Sequence, residues 1–209
     1  MARCVRVPIL TSFVLLIVFG YTTVVLAQDD ATPPSAPPST DPDISFVLLT
    51  EEQVPNGMII IEDGERTLDD VASGFYDMVA TIEQFVAWGW QGNVIRAFHV
   101  PPGSEADPAT IDGIYISVHE FGSPEFAAEA LDYSLDAHAA DTNLEEMSVE
   151  ELGDYSRGLY GKMPYGNEVT LYVQQGSYLI RLSASSPTGD PRVEASALTQ
   201  TMLELQSGP

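Results

Sequence analysis

The chain has one cysteine, Cys4, and one lysine, Lys162, among 209 residues. A single thiol excludes a disulfide framework, a cysteine-based zinc site and a cysteine-ligated iron–sulfur cluster. Eight basic residues against 31 acidic ones leave a formal charge of -23. Binding phosphate backbones needs clustered Lys and Arg, so nucleic acid is excluded as a partner. The glycine motifs that cradle phosphates, G-x-x-x-x-G-K-[ST] and G-x-G-x-x-G, are also missing. So is G-x-S-x-G, the sharp turn that exposes a hydrolase serine. No unit recurs at a period of about 20–50 residues, which excludes a solenoid. Glu62-Asp63-Gly64-Glu65 lacks the alternating acids and distal Glu of a calcium loop and reads as a turn. What is present suffices for a core: 44% hydrophobic residues and 9% aromatics.

The first segment is an address. Arg3 and Arg6 precede an apolar stretch from Ile9 to Ala27, and Val25-Leu26-Ala27 ends it with modest side chains before Gln28. Residues 1–27 read as a secretory signal peptide. An uncleaved N-terminal anchor is the alternative, because the stretch approaches the roughly 20 residues that span a bilayer. Either way the rest of the chain is expected to be secreted or extracytoplasmic, touching membrane only through residues 9–27 if they are retained. Cys4 lies ahead of the apolar run, so lipidation is not expected, and cleavage would remove the only thiol. Loss of Arg3 and Arg6 would leave 6 basic against 31 acidic residues, a balance of -25.

Residues 28–43 carry five prolines between Pro33 and Pro42, four acids and no apolar side chain larger than Ala. They read as an acidic, Pro-rich, extended linker. Residues 44–209 follow as a single domain, about 165 residues being enough to bury roughly 70% of the unfolded surface.

Along that domain, Met58–Ile61 reads as a strand ended by Asp63-Gly64. Thr67 and Asp70 read as a capping box for a short helix. Asp77 caps a second helix with Met78, Ile82, Phe85 and Val86 on one face, stopped by Gly89. Val94–Val100 and Ile114–Phe121 are expected as hairpin partners joined by a long mobile loop. Ser123-Pro124-Glu125 starts a helix with Phe126, Ala130, Leu131 and Leu135 facing the core. Strands follow at 146–150, 155–160, 169–174 and 178–183, with turns at Gly166-Asn167 and Gln175-Gly176. Asp190-Pro191 opens a last helix with Val193, Ala197, Leu198, Met202 and Leu205 on one side. Hairpins dominate this order, which predicts an α+β fold: an antiparallel sheet of about five to seven strands with helices mainly on one face.

This element order, over residues 58–206, resembles secreted α+β domains of the PsbP-like and LpqN-like type and the extracellular sensor domain of the bacterial kinase PknH. The resemblance implies binding or assembly rather than chemistry. The chain therefore reads as a non-enzymatic ligand-binding or interaction domain for an unknown protein or small ligand. The alternatives are an accessory or structural subunit of an envelope complex and an extracytoplasmic hydrolase. No cofactor is called for.

Candidate site residues are few. Trp88, Trp90, Tyr172 and Tyr178 combine contact area with a polar tip, and the two tyrosines are expected to face each other across the last hairpin. Arg96 and Arg181 are isolated cations among apolar strand residues, read as salt-bridge partners with anion binding as the alternative. His99 and His119 end two paired strands and are candidate metal ligands if they approach each other, although capping or surface roles suffice. His138 reads as a helix C-terminal residue.

The exported protein is expected to begin near Gln28 or Asp29. Its intact mass decides the point, since a mass that still includes Met1–Ala27 makes the segment an anchor.

Overall fold

Period-2 alternation in the second half and strong capping signals in the first divide the domain into strands and helices. The structure, a computed structural model, describes residues 47–104 and 110–207. The expected signal segment and linker lie outside the described residues, as do residues 105–109 of the expected mobile loop. The order is β1 (Ile59–Glu65), α1 (Leu68–Ala72), α2 (Met78–Ala87), β2 (Gly92–His99), β3 (Gly113–Glu120), α3 (Pro124–Asp141), β4 (Glu145–Met147), β5 (Tyr155–Met163), β6 (Gly166–Gln175), β7 (Tyr178–Ser186) and α4 (Arg192–Ser207). This is the expected α+β order. The strands form one seven-stranded sheet, β1-β2-β3-β7-β6-β5-β4, with every pair antiparallel. Among the described residues no helix is long and apolar enough to cross a membrane.

The sheet is packed on both faces. Ile114, Ile116 and Val118 of β3, Ile180, Leu182 and Ala184 of β7, and Val169, Leu171 and Val173 of β6 form one apolar face. Against it pack Ala195, Leu198, Met202 and Leu203 of α4 and the segment Val47–Met58. The other face meets the first three helices through Val71, Phe85, Ala127, Ala130, Leu131 and Leu135. Three helices thus share one face and α4 takes the other.

Several boundaries moved. β1 runs through Asp63-Gly64 instead of turning there, with a bulge between Ile60 and Glu62 and Asp63 paired to Arg96. The β5–β6 turn is Pro164-Tyr165, so Gly166 opens the strand, and the β6–β7 turn is Gly176-Ser177. Phe85 is buried, but Val86 is 62% exposed, because Thr81 and Phe85 mark the inner stripe of α2. Phe126, Val193 and Ala197 likewise face solvent, while Ala127 and Ala195, one and two residues away, face inward. Helix faces are read from about 100° per residue, so an error of one residue rotates a side chain from core to surface.

Gly166 has φ +145, and a Cβ there would overlap the Ser186 carbonyl and stand 2.8 Å from Pro187 Cα. Gly176 has φ +57 and open space around the same position. Gly166→Ala is therefore expected to lose about 2–4 kcal/mol and Gly176→Ala only about 1 kcal/mol, the latter being backbone strain alone. Urea midpoints of the two variants check it, and equal losses would refute the steric account.

Candidate functional site

Alternation in β3, β6 and β7 places their non-aliphatic residues under the first three helices. Ser117 sits opposite Arg181, and Arg181 opposite Tyr172, in one row across the middle of the sheet. His119 and Leu179 pair in the next row. These five residues form the floor of a cavity of about 150 Å³. Val71 of α1 and the following Gly74-Phe75 form one wall, and Ser134, Ala137, His138 and Asp141 of α3 form the other. Arg66 completes the lining.

Local chemistry explains the walls. In the Thr67–Asp70 capping box, Thr67 Oγ1 accepts from the Asp70 amide at 3.2 Å and Asp70 Oδ2 accepts from the Thr67 amide at 3.1 Å. This starts α1 immediately after Arg66. Ser123 Oγ caps α3 by accepting from the Phe126 amide at 3.3 Å. Gly89, at φ +65, ends α2 and turns the chain back to the sheet, so that Trp90 reaches β3.

A polar chain runs beneath the cavity. Trp90 Nε1 donates to His119 Nδ1 at 3.2 Å, and His119 Nε2 stands 3.1 Å from Ser117 Oγ. An indole N–H only donates, so Nδ1 must be the bare nitrogen and Nε2 carries the proton. His119 therefore donates to Ser117. The same oxygen accepts from Asn93 Nδ2 at 2.8 Å and from Arg66 Nη2 at 3.3 Å. On α3, His138 Nδ1 pairs with the Tyr172 hydroxyl at 3.0 Å. Burial, reinforced by Arg66 and Arg181, pushes His119 down to about 3. Burial and Arg181 push His138 down to about 4. Both imidazoles are neutral at pH 7.

This wiring bears on chemistry. Ser117 and His119 have the spacing of a nucleophile and its base. A general base must accept the serine proton through a free lone pair, and a carboxylate usually holds the other nitrogen as its donor partner. Here the indole imposes the opposite polarity, and His119 has no lone pair toward Ser117.

The sequence-derived candidates scatter. Tyr172 and His119 line the cavity, and Trp90 stands one hydrogen bond behind it. Trp88 is buried with Phe85 and Phe121, its indole donating to Glu129 Oε2 at 2.8 Å. Tyr178 pairs with Gln175 and packs toward the α4 face, so it does not face Tyr172. Arg96 also lies on the α4 side, bonded to Asp63 and to the Leu49 carbonyl, both at 2.9 Å. His99 and His119 pair with Gly113 and Asn93 at opposite ends of the hairpin, six rungs or about 20 Å apart. They do not approach each other, because paired antiparallel strands run in opposite directions and their C-terminal residues lie at opposite ends of the hairpin. Among the described residues no cluster of three His, Cys, Asp or Glu side chains is placed to hold a metal. His138 is neutral and bonded to Tyr172, so it is no cationic helix cap. Sequence reasoning missed Arg66 and Ser117; the only available signal for Ser117 was its place in the alternation of β3.

No family model and no curated protein matches this chain. Among solved structures it is similar to the extracellular domain of PknH from Mycobacterium tuberculosis, at 10% identity and a TM-score of 0.52. The match covers 77% of this chain and 95% of that one. It establishes a shared fold.

Because His119 is held neutral, the unfolded chain takes up a proton near pH 6.5 that the native state refuses until about pH 3. Stability is thus full above pH 6.5 and is lost as pH falls toward 3. The stability gap between wild type and His119→Gln is expected to shrink by about 3 kcal/mol between pH 7 and pH 4. Denaturant midpoints at the two pH values measure it. A gap that stays constant would mean His119 is protonated in the fold.

Proposed function

We propose that this protein is an extracytoplasmic, non-enzymatic ligand-binding domain whose site is the cavity between the sheet centre and helices α1 and α3. The carrying observation is the cavity itself, where the polar side chains of three strands and one helix converge under two helical walls. Concave sites with few convergent polar groups and apolar walls are the usual form of small-ligand pockets. The export pattern of residues 1–27 supports the location. The likeness to an extracellular domain is compatible with it and speaks to fold alone. The reversed polarity of the Ser117–His119 pair argues against the hydrolase reading.

One observation favours the second reading, an accessory subunit of an envelope complex. Tyr76 is 99% exposed, and Val79 and Val86 are 66% and 62% exposed on the outer side of α2. Such a patch is what a protein partner would cover.

Filling the cavity separates the two. Small neutral and charged compounds are screened by thermal melts of the exported protein and of Ala137→Leu. A compound at ten times its dissociation constant should raise the midpoint by about 3–6 °C, and the filled variant should not respond. Shifts that persist in Ala137→Leu, or a screen without any shift, would overturn the pocket reading in favour of the accessory one.

A further inference from the structure

Six Lys and Arg side chains lie among the described residues, and three of them pair with carboxylates. Arg96 pairs with Asp63 at 2.9 Å. Arg157 pairs with Asp132, Asp136 and Glu146 at 2.8, 3.4 and 2.9 Å. Arg192 pairs with Asp190 at 2.7 Å. Arg66, Lys162 and Arg181 have no carboxylate within 4.0 Å among the described residues, and of these Arg66 and Arg181 line one cavity together.

Arg181 is the more exceptional of the two. It occupies β7, the central strand, with its guanidinium 5.4 Å from the Tyr115 ring centroid and 5.8 Å from that of Tyr172. Its Nε donates to Ser183 Oγ at 3.3 Å. Neither terminal nitrogen has a hydrogen-bond acceptor among the described residues. Glu168 of the neighbouring strand β6 is engaged by the Tyr165 hydroxyl and by Thr170 Oγ1. Arg66 is held by Asn93 Oδ1 at 2.8 Å and by Ser117, and its Nη1 has no acceptor among the described residues. Ser117 Oγ has three donors within reach of its two lone pairs, so its own hydroxyl proton is free to be given. The planar pair of N–H groups of a guanidinium matches a carboxylate bidentately.

Charge and size narrow the class. Two guanidinium charges against Asp141, with both histidines neutral, leave the lining one positive charge in excess. That complements a monoanion. Val71, Phe75, Ala137 and Leu179 supply apolar contact. A cavity of about 150 Å³ matches, in size, an apolar protein cavity that accepts benzene. Two larger hollows among the described residues lack this combination. In the one of about 520 Å³ beside α4, the arginine is already paired with Asp190. The one of about 410 Å³ shares Arg181 but carries the engaged Glu168.

We propose that the pocket binds a small monocarboxylate with an apolar body of about the size of a benzene ring, its carboxylate held by Arg181 and Arg66 and by the Ser117 hydroxyl. This rests on the binding reading above and names its ligand class.

Calorimetric titration of the exported protein with benzoate, benzamide and phenyl phosphate tests it. Benzoate is expected to bind, benzamide to bind at least about tenfold more weakly, and phenyl phosphate to gain nothing from its second charge. Arg181→Met and Arg66→Gln should each weaken benzoate at least about tenfold, with circular dichroism confirming that both variants are folded. If Arg181→Met does not fold, Arg66→Gln carries the test. Benzamide binding as tightly as benzoate, or benzoate binding unchanged in Arg66→Gln, would overturn the carboxylate assignment while leaving a pocket that binds neutral ligands. Tighter binding of phenyl phosphate would overturn the monoanion in favour of a dianion. No binding of either anion at about 10 mM would overturn the proposal outright. The neutral compounds of the thermal screen then decide the broader reading separately.

Discussion

The register of β3 against β7 and of β7 against β6 governs the rest of the molecule. With a side-chain period of two, one register assigns every residue of the three central strands to a face. Ile114, Ile116 and Val118 meet Ala184, Leu182 and Ile180 across the first pairing, and Leu182 meets Leu171 across the second. The middle of that side is aliphatic and packs against α4. A slip of one residue would turn Arg181 against α4 and the aliphatic rows toward the polar cavity under the first three helices. The cost of such a slip, a desolvated guanidinium added to several lost apolar side chains, exceeds any single hydrogen bond the slip could gain. The same constraint that seals one core therefore delivers Ser117, Arg181 and Tyr172 side by side on the other face.

The helices then decide what that polar row becomes. Phe85, Trp88, Phe121 and Tyr133 pack edge to face at 5.4–6.4 Å and close one end of the row. Leu131 and Leu135 of α3 pack over the sheet from the same side. Small residues at Gly74, Ser134 and Ala137 keep the remaining space open. Inside, the network has one polarity. Trp90 fixes the tautomer of His119, and His119, Asn93 and Arg66 all donate toward Ser117. Neutral imidazoles fit this design, because a charged His119 would place a third cation beside two guanidinium groups.

Much of this was legible in the sequence. The capping box at Thr67, the Ser123-Pro124 start and the glycine after α2 act within a few residues, so local chemistry sufficed to place them. The order of elements followed, and with it the fold class. Turn positions slipped by one or two residues because Gly166 and Gly176 are needed for their positive φ beside the turn as well as in it. Inner faces of α2, α3 and α4 were partly misread, since Val86, Phe126 and Val193 are apolar yet sit on the solvent side. The site was the least legible part. Arg96 and Arg181 look alike in sequence, each a cation in an apolar strand. What separates them is cross-strand register: Asp63 lies opposite Arg96, whereas Arg181 stands between Ser117 and Tyr172. A partner on a distant strand leaves no local trace.

The acidic surface and the cationic cavity also act on different length scales. The net charge of -23 repels an approaching anion at long range, and 0.1 M salt screens that repulsion beyond about 10 Å. In the proposed binding mode an anion would meet Arg181 and Arg66 at hydrogen-bond distance inside a partly enclosed space, where mobile ions do not intervene. Salt thus removes the barrier more readily than the attraction. An anion site in such a protein gains little from steering, and its selectivity must come from geometry: the guanidinium planes, the Ser117 hydroxyl and the apolar walls. The acidic exterior discriminates as well, since each further negative charge on a ligand adds repulsion outside without a matching cation inside.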